Sequence, residues 1–158
     1  MISMLFVCLG NIARSPMAEA VLRHRLEEAG LQDQIRVDSA GTGDWHVGES
    51  PHKGTQNLLR KNGISFQGIQ ARQFHEGDFS AFDYIIVMDE SNYTNVTSLK
   101  QDGESSHVHR LVDFIPGTPY KEVPDPYFTG DFEETYRLVN AGCQGILQMI
   151  QEKHELPN

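Results

Sequence analysis

Two residues able to carry phosphoryl chemistry, Cys8 and Arg14, are separated by five intervening residues near the start of the chain, with Ser15 directly after Arg14. A loop of this length can curl so that its backbone N–H groups converge on an anion. A helix that follows the loop adds the positive end of its dipole. An arginine can bind two phosphate oxygens at once, and a thiolate held in such a field can attack phosphorus. The spacing therefore indicates phosphoryl transfer with Cys8 as nucleophile and Arg14 as phosphate clamp.

The residues between this cysteine and arginine are suited to a tight anion-binding loop. Gly10 permits backbone angles that a side chain would oppose, and Asn11 tolerates left-handed geometry better than most residues. Ser15 is a good helix N-cap ahead of Pro16 at the first helical position, and its hydroxyl can donate to the thiolate. We expect the phosphate to be bound, and the loop supported, by Leu9, Gly10, Asn11, Ile12, Ala13 and Ser15.

Short apolar runs alternate along the chain with longer stretches of helical period. The predicted strands span 4–7, 34–40, 82–88 and 108–112. The predicted helices start at Ser15–Pro16 and span 55–61, 90–99 and 132–151. This alternation predicts one α/β domain over residues 1–158, a three-layer sandwich with a central four-stranded parallel sheet and helices on both faces. Ligands of such folds bind beyond the C-terminal ends of the strands, and the first strand ends at Cys8.

The composition limits the partners that the protein can have. Thirteen lysines and arginines against 22 aspartates and glutamates give a net charge of −9. This balance argues against nucleic acid and anionic membranes, because both require a positive surface. The two cysteines allow at most one disulfide, which is typical of a reducing compartment. We therefore expect a cytoplasmic protein whose affinity for phosphate comes from a local site.

Residues 7–20 resemble the signature of the low-molecular-weight protein tyrosine phosphatases. Further segments that resemble this family follow in order at 37–42, 71–73, 82–84, 88–92 and 123–127, so the likeness covers nearly the whole chain. It implies hydrolysis of phosphotyrosine on proteins through a phosphocysteine intermediate, with no metal and no cofactor. It also implies a bacterial tyrosine kinase as the functional counterpart. We expect a monomer or a weak homodimer.

The resemblance also implies roles for residues outside the loop. Asp125 falls on the family's general acid, which would protonate the leaving phenolate and later activate water. Trp45 and Tyr127 would wall a pocket deep enough for phosphotyrosine but not for phosphoserine. Ser39 would hydrogen-bond to Asn11 and so brace the phosphate loop. The plainer alternatives are a simple turn at Asp125 and a core position for Trp45, although the glycine-rich flanks of this tryptophan predict an exposed loop.

Three further positions are expected to have no part in catalysis. Ala13 stands where most members carry a second cysteine, which can form a disulfide with the nucleophile and protect it from irreversible oxidation. Cys143 is expected to be a packing residue of the last helix, so we expect peroxide to inactivate the protein without a disulfide between the two cysteines. Asp89 matches an acidic family position, for which we expect a structural role.

Four other functions fit the sequence less well. A thiol-dependent arsenate reductase needs two further cysteines, and only Cys143 is present. Protein-arginine phosphatases carry threonine where Ile12 stands, and a bulky apolar side chain suits a tyrosine ring better than a guanidinium. A phosphotyrosine-binding module would not need both a nucleophile and a general acid. A metallophosphatase needs a ligand cluster, and the pair His107 and His109 has no third ligand near it in sequence.

Overall fold

The computed structural model describes residues 1–100 and 107–156. Within these residues four parallel strands form one sheet in the order β2-β1-β3-β4. They are β1 (Ile2–Cys8), β2 (Ile35–Gly41), β3 (Tyr84–Val87) and β4 (His107–Arg110). In the centre of the sheet Met4 pairs with Val37 on β2 and with Tyr84 on β3. The predicted α/β class and the four-stranded parallel sheet are confirmed.

Helices cover both faces of this sheet, as predicted. The described helices are α1 (Arg14–Glu28), α2 (Lys53–Lys61), α3 (Asp78–Ala81), α4 (Glu90–Thr97), α5 (Pro126–Thr129) and α6 (Phe132–Lys153). Along β1, Met4 and Phe6 belong to the core cluster beneath α1 and α6. Leu5 and Val7 belong to the opposite cluster, which includes residues of α3 and α4. A strand buried on both faces reads as a continuous apolar run, which explains why β1 was visible in the sequence.

The start of α1 differs from the prediction. The helix begins at Arg14 and its N-cap position is Ala13, which makes no side-chain capping bond. Ser15 was predicted as the cap, but it is the second helical residue and its hydroxyl lies 3.0 Å from the sulfur of Cys8. The side chain is therefore directed into the loop and not onto the helix N-terminus. The predicted cap was wrong because a buried thiol competes for the same hydroxyl.

The fourth strand and the shortest helices also differ from the sequence-based expectation. The strand ends at Arg110, and residues predicted to extend it form a 3₁₀ turn over Leu111–Phe114. Helices α3 and α5 span four residues each, too short for a helical period to be visible. Helix α6 continues to Lys153, slightly beyond its predicted end. Across residues 1–100 and 107–156, no helix has the length and apolar character needed to cross a membrane.

Candidate active site

The loop between β1 and α1 is held in one conformation by its outward-facing carbonyls. Ile12 accepts from the backbone N–H of His52 over 2.6 Å, and Ala13 accepts from Thr55 Oγ1 over 3.0 Å. Over the described part of the chain, the backbone N–H groups of residues 10–13 donate to no partner. An anion-binding loop requires N–H groups that are not bonded to the protein and carbonyls that are bonded elsewhere. The concave phosphate site expected from the Cys8–Arg14 spacing stays a prediction, which this arrangement supports.

The unusual backbone angle of the loop lies at Asn11 and not at Gly10. Asn11 has a φ of 55°, in the left-handed region that asparagine tolerates. Gly10 does not have a positive φ, so the prediction that it supplies such an angle was wrong. A Cβ at this position would lie 3.1 Å from Cδ2 of His46. Glycine is thus suited to position 10 by the close approach of a neighbouring ring.

Arg14 is almost completely buried, at 1 % exposed, and its guanidinium is anchored on one edge. Nη1 donates to Asp89 Oδ2 over 2.8 Å and to the carbonyl of Val123 over 2.9 Å. Nη2 lies 3.3 Å from Asp125 Oδ2. Nε has no partner among the described residues, although it is buried. The edge formed by Nε and Nη2 can bind two oxygens of one phosphate, with Nε unpartnered and Nη2 in contact with Asp125 only.

The charges around this guanidinium keep it protonated. Burial lowers the pKa of Arg14, but the nearby Cys8, Asp125 and Asp89 outweigh this effect and raise it above its ordinary value. Asp89 was expected to be structural, and its carboxylate holds the arginine in place. It also caps α4, since Oδ1 accepts from the backbone N–H of Asn92 over 2.7 Å.

A chain of buried hydrogen bonds supports the nucleophile. Ser15 Oγ lies 3.0 Å from Cys8 Sγ and accepts from Asn11 Nδ2 over 2.8 Å. The same amide nitrogen donates to Ser39 Oγ over 3.0 Å, which is the Asn11–Ser39 contact that the resemblance implied. Asn11 Oδ1 accepts from the backbone N–H of Arg72 over 2.9 Å. The loop is thus fixed from α1, β2 and the segment before β3.

Beyond Ser39 this series of hydrogen bonds ends at the carboxylate of Glu19, a residue that the sequence did not single out. Ser39 Oγ donates to Glu19 Oε1 over 2.6 Å, and Glu19 is 7 % exposed. Burial raises the pKa of Glu19 to about 7, against the lowering effect of the hydrogen bond from Ser39. Its position four residues after Ser15 on α1 could have suggested a shared face.

A pocket of about 380 Å³ opens above the loop. Its lining residues are Cys8, Leu9, Gly10, Ile12, Ala13, Trp45, His46, Asp125, Tyr127 and Phe128. Trp45 and Tyr127 are 67 % and 56 % exposed, so the tryptophan is not a core residue. The Trp45 ring lies directly over Gly43, where an added Cβ would fall 1.9 Å from Cζ3. The predicted wall residues Trp45 and Tyr127 therefore border the same cavity as the sulfur of Cys8. His46 and Phe128 also line this cavity, and neither was predicted from the sequence.

Asp125 borders the same pocket from the segment before α5. It is the N-cap of this helix, and Oδ1 accepts from the backbone N–H of Tyr127 over 3.0 Å. The other oxygen, Oδ2, faces Arg14. The Asp125–Pro126 dipeptide therefore forms a helix start that places a carboxyl beside the phosphate clamp.

The other candidate residues lie away from this pocket. His107 and His109 are on β4, where both rings lie near the ring of Tyr84. No group of three metal-ligating side chains is present within residues 1–100 and 107–156. Cys143 is fully buried in α6, and burial raises the pKa of its thiol to about 12. The structure thus brings together the loop, Arg14 and Asp125, and separates them from the second cysteine.

Comparison with known proteins gives consistent matches over the full length. The sequence profile of the family described as low molecular weight phosphotyrosine protein phosphatase matches residues 3–156. The chain is 50% identical over 156 residues to the low molecular weight protein-tyrosine-phosphatase YfkJ of Bacillus subtilis, covering 99% of this chain and 100% of that protein. It is 43% identical over 150 residues to PtpA of Staphylococcus aureus strain MRSA252, another low molecular weight protein-tyrosine-phosphatase, covering 95% and 94%.

Solved structures of similar proteins share the fold closely. The crystal structure of YfkJ superposes with a TM-score of 0.94, covering 97% of this chain and 96% of that chain. A structure named DARP, drosophila arginine phosphatase, is 34% identical with a TM-score of 0.86, covering 94% and 97%. Each match covers more than nine-tenths of this chain.

Proposed function

The chain belongs to the low molecular weight phosphotyrosine protein phosphatase family and is a protein-tyrosine-phosphatase; we propose that it hydrolyses phosphotyrosine through a covalent phosphocysteine intermediate on Cys8, without a metal ion. The observation that carries this proposal is that Cys8 and Asp125 line one aromatic-walled pocket, with Arg14 in contact with Asp125. These are a nucleophile, a phosphate clamp and a proton donor, which are the groups that the reaction needs.

Phosphate binding uses N–H groups that have no partner among the described residues, together with Nη2 of Arg14, which contacts Asp125. The N–H groups of residues 10–13 and the Nε–Nη2 edge of Arg14 donate hydrogen bonds to the oxygens of the substrate dianion. These donors supply the charge stabilisation that a metal ion gives in other phosphatases. The substrate ring then lies between the exposed rings of Trp45 and Tyr127.

The first step transfers the phosphoryl group to sulfur. Cys8 Sγ attacks phosphorus, so that an S–P bond forms while the P–O bond to the tyrosine oxygen breaks. Asp125 donates a proton to the departing oxygen, which leaves as neutral tyrosine. Arg14 holds the equatorial oxygens as charge develops on them.

The second step releases phosphate and restores the enzyme. A water molecule attacks the phosphorus of phosphocysteine, and the carboxylate of Asp125 takes a proton from it. The S–P bond breaks, and the hydroxyl of Ser15, 3.0 Å from Sγ, donates a hydrogen bond to the thiolate that forms.

Selectivity for phosphotyrosine follows from the depth and lining of the pocket. Cys8 is 2 % exposed, whereas the tips of Trp45 and Tyr127 are in solvent. A phosphate on a long aromatic side chain spans this depth, and a phosphate on serine does not. Ile12 adds an apolar contact near the base of the pocket. Because one similar protein bears the name arginine phosphatase, phosphoarginine is the substrate against which this selectivity has to be measured.

The experiment is phosphate release from matched peptides that carry phosphotyrosine, phosphoserine or phosphoarginine, in excess chelator. The wild type is compared with Cys8→Ser and with Cys143→Ser, a control that alters the cysteine lying outside the pocket. Rapid release from phosphotyrosine alone, retained in Cys143→Ser and lost in Cys8→Ser, is expected. Preferential release from phosphoarginine would overturn the substrate assignment, and loss of activity in chelator would overturn the metal-free mechanism.

The cellular setting belongs to the same proposal. Two free, buried cysteines fit a reducing compartment such as the cytoplasm. The protein substrates are those phosphorylated on tyrosine, for which a bacterial tyrosine kinase is the natural counterpart.

A further inference from the structure

Glu19 is a buried carboxylate that the proposed reaction does not use. It lies on α1 one turn after Ser15, and only 7 % of the residue is exposed. Acidic side chains are rarely buried to this extent unless another group satisfies them. Here the partner is the hydroxyl of Ser39, at 2.6 Å from Oε1.

The hydrogen bonds that link this carboxylate to Cys8 diverge from the side-chain amide of Asn11. Asn11 Oδ1 accepts from the backbone N–H of Arg72, so the amide nitrogen is the end that faces the two serines. Its two protons go to Ser39 Oγ and Ser15 Oγ.

The proton of each serine is then accounted for. Ser39 has one hydroxyl proton, and it points to Glu19. Ser15 Oγ already accepts from the amide, so its own proton is left for Cys8 Sγ at 3.0 Å, with the carbonyl of Ala40 as a longer alternative at 3.5 Å.

We propose that Glu19 is a positioning residue of the reaction: its carboxylate fixes, through Ser39, Asn11 and Ser15, the hydroxyl proton that Ser15 presents to the sulfur of Cys8. The inference rests on the proposed phosphocysteine mechanism and deepens it. An ionised acceptor makes the stronger hydrogen bond, so the hydrogen bonds from Glu19 to Ser15 are strongest when Glu19 is charged.

The charged groups that face Glu19 come from three elements. On α1, Arg23 Nη1 lies 3.9 Å from Oε2. On β2, the carboxylate of Asp38 opposes ionisation, and in the segment before β3 Arg72 favours it. Arg72 is itself held by Asp38 and Asp78, each at 3.1 Å, so its charge is largely neutralised. Burial therefore dominates and raises the pKa of Glu19 to about 7.

The test is the pH dependence of Glu19→Gln, which keeps an oxygen acceptor for Ser39 but cannot ionise. The ratio of wild-type to variant kcat/KM on the phosphotyrosine peptide is expected near unity at about pH 5 and about fivefold at about pH 8. The midpoint of this change is expected near pH 7. Glu27→Gln, an exposed site on the same helix, is the matched control and should keep a constant ratio. A fraction of misfolded variant would lower all rates by the same factor, so it cannot create the pH-dependent ratio.

A ratio for Glu19→Gln that does not change with pH would overturn the proposal and leave a merely structural role. A ratio that favours the variant above neutral pH would overturn it as well. Glu19→Gln combined with Ser39→Ala should behave as Ser39→Ala alone, because the effect passes through that hydroxyl. Additive losses would contradict this route.

A second readout separates this inference from the proposed function. The rate at which iodoacetamide alkylates Cys8, followed by mass spectrometry, needs no phosphatase activity. Its pH profile should show an inflection near pH 7 in the wild type that is absent from Glu19→Gln. If the wild type fails to hydrolyse phosphotyrosine, the proposed function fails while this alkylation comparison still decides the role of Glu19. Superimposable alkylation profiles would overturn it.

Discussion

The guanidinium of Arg14 contacts the carboxylate of Asp125, with Nη2 3.3 Å from Oδ2. The phosphate clamp and the proton donor are therefore joined in the structure. A phosphate dianion that binds the Nε–Nη2 edge competes with Asp125 for the same N–H group. We infer that substrate binding loosens this contact and leaves the carboxyl facing the tyrosine oxygen.

Asp125→Asn removes the proton donor but keeps the size of the side chain. We expect kcat on the phosphotyrosine peptide to fall by about 10²- to 10³-fold, as for the loss of a general acid. The loss should be smaller with an aryl phosphate whose phenol is a good leaving group, because that oxygen needs little protonation. Steady-state kinetics on both substrates provide the check. Equal losses on the two would contradict a proton-donor role.

Asp89→Asn tests the anchor of Arg14. Asparagine still caps α4, but it cannot neutralise the buried guanidinium. The Ki of inorganic phosphate as a competitive inhibitor is expected to rise about tenfold, and the free energy of unfolding to fall by about 2 kcal/mol. Glu90→Gln breaks an exposed ion pair with Arg110 and is the matched control, with a change of less than about twofold in Ki. A similar Ki in both variants would exclude a role for Asp89 in holding the clamp.

The sequence was informative where function and fold follow from local patterns. The β1 run and the left-handed Asn11 were expected because each depends on residue type within one short motif, whereas the Asn11–Ser39 contact was implied by the family resemblance. The predicted cap at Ser15 and the predicted backbone angle at Gly10 were wrong, because tertiary neighbours decide both features. The hydroxyl of Ser15 is directed to a buried sulfur, and Gly10 is set by the approach of His46.

Glu19 illustrates what a single sequence does not reveal. Glutamate on a helix is usually a solvated residue, and nothing in its type marks it as buried. Only the packing of α1 against β2 brings it to Ser39. His46 and Phe128 entered the pocket in the same way, because loops distant in sequence meet above β1.

Oxidation is predicted to inactivate the enzyme without a disulfide between Cys8 and Cys143. The thiol of Cys143 is fully buried in α6 beside the carbonyl of Ala18, and its pKa of about 12 keeps it protonated. Cys8 would therefore pass to sulfinic acid under prolonged peroxide. Mass spectrometry without reductant should show oxygen added to Cys8, and Cys143→Ser should inactivate at the wild-type rate. Full recovery of activity by reductant after prolonged peroxide would contradict this prediction.

The raised pKa of Glu19 is also predicted to reduce stability at high pH. The folded-state pKa of about 7 lies above the ordinary value of 4.5, so the native state holds a proton that the unfolded chain has lost. Stability from this group is complete below about pH 4.5 and falls until about pH 7, by roughly 3 kcal/mol. Denaturant unfolding of Glu19→Gln should match the wild type at about pH 5 and exceed it by up to that amount at about pH 8.

This stability change runs opposite to the expected change in activity. At high pH, Glu19→Gln should be more stable and less active than the wild type, as expected for a strained group kept for function. Parallel stability curves for the two proteins across this range would mean that Glu19 ionises in the folded state as it does in solvent.

The most direct test of the account is to look for phosphate on Cys8 during turnover. Wild type and Asp125→Asn are mixed with an aryl phosphate that has a good leaving group, quenched in acid and digested for mass spectrometry. We expect one phosphoryl group on the peptide that contains Cys8, in larger amount in Asp125→Asn because water attack is slowed, and none in Cys8→Ser. Turnover that persists in Cys8→Ser, or phosphate found on another residue, would contradict the phosphocysteine mechanism.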